Sequence, residues 1–292
     1  MDLDADGNID ILSGSYSRQS QDMAGLFQLL KGGKDGAFQK PTVVDGSDGQ
    51  PLILPMPGEE GDVIVRICTR PTACDLDGDG KLDIVSGNFR GTFGFFKGEG
   101  AGKFAPAATW LQSAGAPMEV PMHSDPFVCD WDGDGDLDIV SGSAEGGVYL
   151  FVNEGSKTAP KFGARQTLLE GTGHGHVIGG GEEQKFGDAH LHGPSSSTRV
   201  WVADVDGDGK LDLLVGDSVS LVHCADGVDE ATARKELKAW EKRQQKHFES
   251  YPQDGDEKAE QAWQDAYQQL EKDKAKFARD EMTGFVWLLR QK

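Results

Sequence analysis

Four short apolar runs, each ending in glycine, punctuate this chain: Ile9-Asp-Ile-Leu-Ser-Gly14, Leu82-Asp-Ile-Val-Ser-Gly87, Leu137-Asp-Ile-Val-Ser-Gly142 and Leu211-Asp-Leu-Leu-Val-Gly216. They are too short for helices and rich in β-branched residues, so they predict buried strands. A second apolar strand follows each one, at Gly25–Lys31, Gly91–Lys97, Gly147–Asn153 and Gly284–Arg290. In the first three copies a glycine-rich turn then leads to Phe38, Phe104 or Phe162, which is expected to open a third strand. A further strand is expected before each later run, around Val63 to Ala73, Pro121 to Val128 and Arg199 to Ala203.

Each run is entered through an acidic loop of the form DxDxDGxxD. Its members are Asp2, Asp4, Asp6 and Asp10; Asp75, Asp77, Asp79 and Asp83; Asp130, Asp132, Asp134 and Asp138; and Asp204, Asp206, Asp208 and Asp212. Carboxylates at alternate positions of a tight loop converge, and a hard cation with oxygen ligands relieves their repulsion, so Ca²⁺ is the expected occupant. The sixth-position glycine permits the turn, and the seventh residue (Asn8, Lys81, Asp136, Lys210) is expected to offer its backbone carbonyl. The ninth-position Asp closes the cage. An EF-hand would need Glu at position twelve, which instead holds Ser13, Ser86, Ser141 and Val215. One such loop is easily a solvated turn, but four with matching downstream strands point to metal.

The composition bounds the rest. The 292 residues with 37% hydrophobic content and 40 glycines suit a turn-rich β protein. A formal charge of −20 argues against nucleic acid or an anionic membrane as partner, and four bound Ca²⁺ would reduce it to −12. No stretch approaches the ~20 apolar residues of a membrane span. Cys68, Cys74, Cys129 and Cys224 lack zinc, haem or thioredoxin spacing and read as structural; Cys74 and Cys129, each immediately before the first Asp of its loop, read as small buried fillers, with a disulfide left open. There is no secretory leader, and Met1 stands one residue before the first ligand, so an N-terminal portion is expected to be missing.

The loops begin at Asp2, Asp75, Asp130 and Asp204, so a four-stranded unit recurs every 55 to 74 residues. That is the arithmetic of a β-propeller blade with insertions. On the DxDxDGxxD loops and the following [IL]-D-[IL]-[LV]-x-G strands, the chain resembles the FG-GAP and VCBS repeats of integrin alpha-chain propellers and secreted bacterial proteins. The resemblance implies calcium loops within each blade, an extracellular or periplasmic location and adhesion as a role. The sequence departs from the integrin-like propeller in showing four blades, where that propeller has seven. The expected fold is therefore all-β, four antiparallel blades of which the first is incomplete, with an α-helical hairpin inserted in the last blade. In domain terms, residues 1–227 form the blades, 228–283 the insert and 284–292 the strand returning to blade four.

The insert is rich in Ala, Glu, Lys and Gln. Leu237, Trp240, Gln244 and Phe248 lie near one face of a first predicted helix, and Trp263, Tyr267, Leu270, Lys274 and Phe277 near one face of a second, with a break at Tyr251 to Gly255. These aromatic stripes either pair with each other or meet a partner through residues 228–282. A second insertion carries His174 and His176, then Glu182, Glu183 and Asp188, then His190 and His192. Paired HxH motifs could ligate a transition metal, with a carboxylate as general base, although such loops more often use His as a polar surface residue. Ser195 to Ser197 lack a nucleophile-elbow context and read as a polar linker, and Asp45 to Gly61 reads as a surface excursion.

The leading functional reading is a noncatalytic, calcium-stabilised extracellular binding, adhesion or scaffold propeller that contacts protein or glycan. Extracellular calcium sites typically bind at ~10⁻⁴ to 10⁻³ M, which would leave them empty in cytosol. The alternatives are a metal-assisted polysaccharide lyase or hydrolase using the histidine-rich loop, and a structural subunit of a larger complex.

Overall fold

The computed structural model describes residues 1–16, 25–55, 63–171, 186–189, 191–252 and 257–291. Four antiparallel sheets follow one another as the blades of a propeller arrangement. Blade one is three-stranded, β1 (Ile11–Ser13), β2 (Gln28–Leu30) and β3 (Thr42–Val43). Blade two contains β4 (Arg70–Cys74), β5 (Asp83–Gly87) and β6 (Phe93–Phe96), then the small hairpin β7 (Gly98–Gly100) and β8 (Lys103–Phe104), and the outer strand β9 (Thr109–Trp110). A two-residue pair, β10 (Gln112–Ser113) and β11 (Ala116–Pro117), leads to blade three: β12 (Asp125–Cys129), β13 (Asp138–Gly142), β14 (Val148–Phe151) and β15 (Gln166–Leu169). Blade four comprises β16 (Ser196–Ala203), β17 (Asp212–Cys224), β18 (Ala278–Thr283) and β19 (Val286–Leu289).

The central strands of blades two and three are apolar on both faces because each of these blades is sandwiched between two neighbours. In β5, Ile84 joins Leu3, Phe27, Leu29, Val44 and Phe96 in a core between blades one and two. Val85 points the other way, with Phe93, Met118, Ile139, Tyr149 and Phe151, into the core between blades two and three. Blade three repeats the alternation, its Val140 packing with Val202, Leu213 and Val215 of blade four. Edge-on ring pairs sit at the centres of the first two cores, Phe27–Phe96 at 5.6 Å and Phe93–Phe151 at 5.7 Å. Each such fully buried ring contributes roughly 2–3 kcal/mol through burial.

The terminal Gly of each apolar run has a second duty. A Cβ at Gly14, Gly87 or Gly142 would lie 1.8, 2.0 or 2.2 Å from the carbonyl oxygen of Thr69, Ser124 or Thr198 on the next blade. That close approach lets the following residue bond across the blade boundary. The N–H groups of Ser15, Asn88 and Ser143 donate to the hydroxyls of Thr69 (2.8 Å), Ser124 (2.9 Å) and Thr198 (2.9 Å). The N–H groups of Thr69, Ser124 and Thr198 return the bond to the carbonyls of Ser15, Asn88 and Ser143. A hydroxyl six residues before each loop thus fastens its blade to the preceding one.

Several sequence expectations are corrected. Phe38, Phe104 and Phe162 do not open the outer strand; they make a small bridge or hairpin back to Gly32, Gly98 and Asn153, and the outer strand starts four or five residues later. The excursion after Asp45 is not only surface, because Leu52 and Leu54 are fully buried in the first inter-blade core. In blade three the strand register pairs Ile139 with Phe151, where Ile11 pairs with Leu30 and Ile84 with Phe96. The residue matching Lys31 and Lys97 is therefore Val152, one place earlier than alignment on Gly147 implies. Adjacent Gly146 and Gly147 made the two alignments indistinguishable by sequence.

By contact, the chain divides into two compact units, one of Met1–His174, Pro194–Asp217 and Val286–Lys292 and the other of Gly175–Gly193 and Ser218–Phe285. β17 belongs to both: Leu213–Gly216 pair with β19, and Val219–Cys224 pair with β18. The second unit holds the two expected helices, α1 (Glu230–Glu249) and α2 (Glu257–Lys274). Asp229 caps α1 by accepting the Thr232 N–H at 2.9 Å. Residues 278–283, expected to be helical, instead form β18, because the β17 extension offers them a pairing edge. Val222, Leu237, Trp240, Phe277 and Ala278 make the small core of this unit.

The inter-blade joint makes a direct prediction. Gly87→Ala forces a backbone carbonyl aside and should destabilise by at least ~2 kcal/mol in urea denaturation. The corresponding Gly216→Ala, whose Cβ would meet nothing nearer than Arg199 Cβ at 3.9 Å, should change stability by less than ~1 kcal/mol.

Candidate metal loops

All four acidic loops share one hydrogen-bond plan. The first Asp accepts the N–H of the sixth-position glycine: Asp2 from Gly7 (2.9 Å), Asp75 from Gly80, Asp130 from Gly135 and Asp204 from Gly209 (each 3.0 Å). Those glycines have φ of +89°, +84°, +91° and +86°, so the turn needs them. The fifth Asp accepts the N–H two residues on, at 2.8 to 3.0 Å, in Asp6–Asn8, Asp79–Lys81, Asp134–Asp136 and Asp208–Lys210. The loops also make a left-handed turn at their fourth residue. Glycine serves there in three loops, and Ala5 adopts φ +61° in the first.

The ninth Asp is the buried pivot. Asp10, Asp83, Asp138 and Asp212 are at most 4% exposed. One oxygen of each accepts the N–H of the loop's second residue, Leu3, Leu76, Trp131 or Val205, at 2.8 to 3.1 Å. The other accepts an N–H just past the following strand, from Gly32, Gly98, Asn153 or Gln291, at 2.7 to 3.1 Å. This carboxylate therefore ties loop to sheet as well as facing the acidic cluster. Burial outweighs these donors and raises Asp83 and Asp138 above the ordinary carboxylate range. A divalent cation beside them would push them back down.

Carboxylate oxygens of Asp75, Asp77 and Asp83 converge within 4.8 Å of one another, as do those of Asp130, Asp132 and Asp138 and of Asp204, Asp206 and Asp212. In the first loop the converging set is Asp2, Asp4 and Asp6. The third-position Asp is the member that the backbone serves least. Oδ1 of Asp4 and of Asp77, and Oδ1 of Asp75, are buried without a hydrogen-bond partner. Orphaned anionic oxygens aimed into an all-oxygen cluster fit Ca²⁺. Basic side chains also reach the third position: Lys31 pairs with Asp4 at 2.6 Å, Lys97 with Asp77 and with Asp79 (3.0 Å), and Arg290 with Asp206 at 3.3 Å. The hydrogen bonds to Asp77 and Asp79 raise the Lys97 ammonium, and that to Asp4 raises Lys31. Sequence reading missed both the pivot role of the ninth Asp and these basic partners. The signal for the second was a Lys or Arg closing the second strand of three repeats.

Of the histidine-rich insertion, His174, His176, His190, Glu182 and Glu183 lie outside the described residues. His192 is exposed. In the helical hairpin the aromatic residues largely meet one another: Trp263 stacks on His247 (4.4 Å) and Tyr267 (5.9 Å), and its indole N–H donates to the His247 carbonyl at 3.0 Å. Phe248 and Tyr251 at the edge of this stack stay about half exposed. All four cysteines are free thiols. No described helix is long and apolar enough to cross a membrane.

The chain matches no protein-family model and no curated protein. Among solved structures, a chain of the Photorhabdus luminescens Tc holotoxin pore is similar at 17% identity and a TM-score of 0.37, over 65% of this chain and 7% of that one.

Two outcomes follow from this geometry. Asp83→Asn turns an amide N–H₂ toward a buried backbone donor and should cost about 2–4 kcal/mol whether or not metal is present, as read by denaturation with and without chelator. Burial, with the neighbouring carboxylates adding to it, pushes the Cys74 and Cys129 thiols up to about 12. Both should therefore resist a thiol-disulfide reagent at pH 8 in the native protein and react only after unfolding.

Proposed function

We propose that the chain is a calcium-stabilised, noncatalytic binding or scaffold propeller of the FG-GAP and VCBS kind, working outside the cytoplasm and contacting protein or glycan. The observation that carries this reading is the division of labour among the loop carboxylates. First, fifth and ninth Asp each accept backbone N–H groups, while the third Asp takes one only in the third loop, and Oδ1 of Asp4, Asp75 and Asp77 is buried without a hydrogen-bond partner. In this reading the first, third, fifth and ninth Asp of each loop hold Ca²⁺ together with the backbone carbonyl of Asn8, Lys81, Asp136 or Lys210. The ion supplies no reaction chemistry; it cancels repulsion and stiffens the entry to the strand that packs against the neighbouring blades.

Binding would then belong to surfaces that the repeat does not consume. The hairpin offers an aromatic edge at Phe248 and Tyr251, and the exposed Trp201 indole stands at 62% exposure on β16. Tyrosine and tryptophan edges of this kind suit contacts with sugar rings or with a partner subunit.

Calcium removal tests the reading. Chelation should lower Tm by about 5–10 °C and re-addition of calcium should restore it. Asp77→Ala and Asp132→Ala should each abolish part of the calcium-dependent increment, and equilibrium dialysis should show a lower metal stoichiometry. An unchanged Tm on chelation, with no calcium retained in dialysis, would remove the proposal.

A further inference from the structure

We propose that Lys31, Lys97 and Arg290 are built-in counter-ions that stand in for calcium at the third-position carboxylate, so that the loops form a graded series with the third loop as the tightest site. This rests on the calcium reading above. It concerns which loops calcium fills first.

Strand register places the three bases. Ile11 pairs with Leu30, Ile84 with Phe96 and Leu213 with Leu289, which sets Lys31, Lys97 and Arg290 opposite the ninth-position Asp of their own loops. From that place each reaches the third-position carboxylate, Asp4, Asp77 or Asp206. In blade three Ile139 pairs with Phe151, and the equivalent position is Val152. Val152 is partly buried against the core between blades three and four and brings no charge. Among the described residues Asp132 accepts only the Asp134 N–H, at 3.2 Å. Among the described residues no Lys or Arg is ion-paired with Asp130, Asp132, Asp134 or Asp136, although Lys210 lines the adjoining cleft. The third loop also carries an additional carboxylate, Asp136, at its seventh position, where the second and fourth carry Lys81 and Lys210.

A tethered ammonium and a divalent cation compete for the same oxygens. The basic side chains are 41%, 46% and 61% exposed for Lys31, Lys97 and Arg290, so each can swing into water when calcium arrives. Calcium then loses the energy of the displaced ion pair and keeps a like charge a few ångströms away, a combined effect of roughly tenfold in affinity at near-surface dielectric. The benefit appears when calcium is scarce. Three loops keep one cation at the third-position carboxylate, whereas the third loop has none of its own there.

Trp131, the second residue of the third loop, provides a local reporter, since the other loops have Leu3, Leu76 and Val205 there. The metal-free full chain is titrated with Tb³⁺, reading tryptophan-sensitised luminescence that Trp131→Phe should remove, and with Ca²⁺ by calorimetry. The luminescence should saturate within the first equivalent, ahead of the remaining calorimetric sites. Val152→Lys should weaken that first site roughly tenfold, and Lys97→Gln, an exposed change that leaves the core untouched, should tighten one later site by a similar factor. Higher salt should shrink the Lys97→Gln effect. Four equal sites, or a Lys97→Gln isotherm identical to that of the wild type, would overturn the counter-ion role and leave calcium binding intact. No binding of either ion would overturn the calcium reading itself.

Discussion

A buried carboxylate with a backbone N–H on each oxygen is the interaction on which every blade depends. The ninth-position Asp lies at the junction of loop, inner strand and second strand, and it satisfies one donor from the loop and one from the chain returning past it. Without it, two N–H groups would be buried without partners, and the loop would lose its registration against the sheet. The apolar residues that follow it can then alternate cleanly, one toward each neighbouring blade. The acidic cluster is thus built around a residue whose first obligation is structural, which explains why burial and hydrogen bonding are arranged so alike in four loops of different outer sequence.

Much of this was legible in the sequence because the repeat reports it four times. The loops, the inner strands and the helical hairpin all stand where their residue patterns place them, since acidic turns, β-branched runs and Ala/Glu/Lys periodicity each have a single local solution. What escaped was decided by register and by tertiary pairing. Val152 could not be matched to Lys97 while two consecutive glycines offered two alignments, and only the ladder Ile139–Phe151 separates them. Residues 278–283, Ala-Arg-Asp-Glu-Met-Thr, have no strand signature; they pair because β17 continues beyond its glycine and supplies an edge. Leu52 and Leu54 sit in a polar, proline-containing stretch, and their burial follows from packing against Ile84 and Phe96, with Leu54 lying over Gly94 where no Cβ stands, rather than from any local period.

The candidate site was legible as chemistry but not as a partition of roles. Spacing brings carboxylates together; it does not say which oxygens the backbone already occupies. The loop separates oxygens committed to N–H groups from those left over, and in the first two loops the buried orphans are Oδ1 of Asp4 and Asp77 at the third position and of Asp75 at the first. Basic side chains from the second strand meet them in three blades. The formal charge of −20 already counts these bases, and three of them are spent inside the acidic loops rather than spread over the surface.

The joint between blades has a consequence for how such a chain can change. It consists of a missing Cβ on one side and a single hydroxyl on the other, Gly87 against Ser124 for instance, with the remaining bonds drawn from the main chain. Such a joint scarcely reads the identity of the side chains around it. Blades can accumulate excursions, aromatic edges or an entire helical hairpin at their margins while the coupling between neighbours stays the same. The repeat works as a chassis: the inter-blade cores and two residues per boundary hold it together, and the outer margins are free to be rewritten.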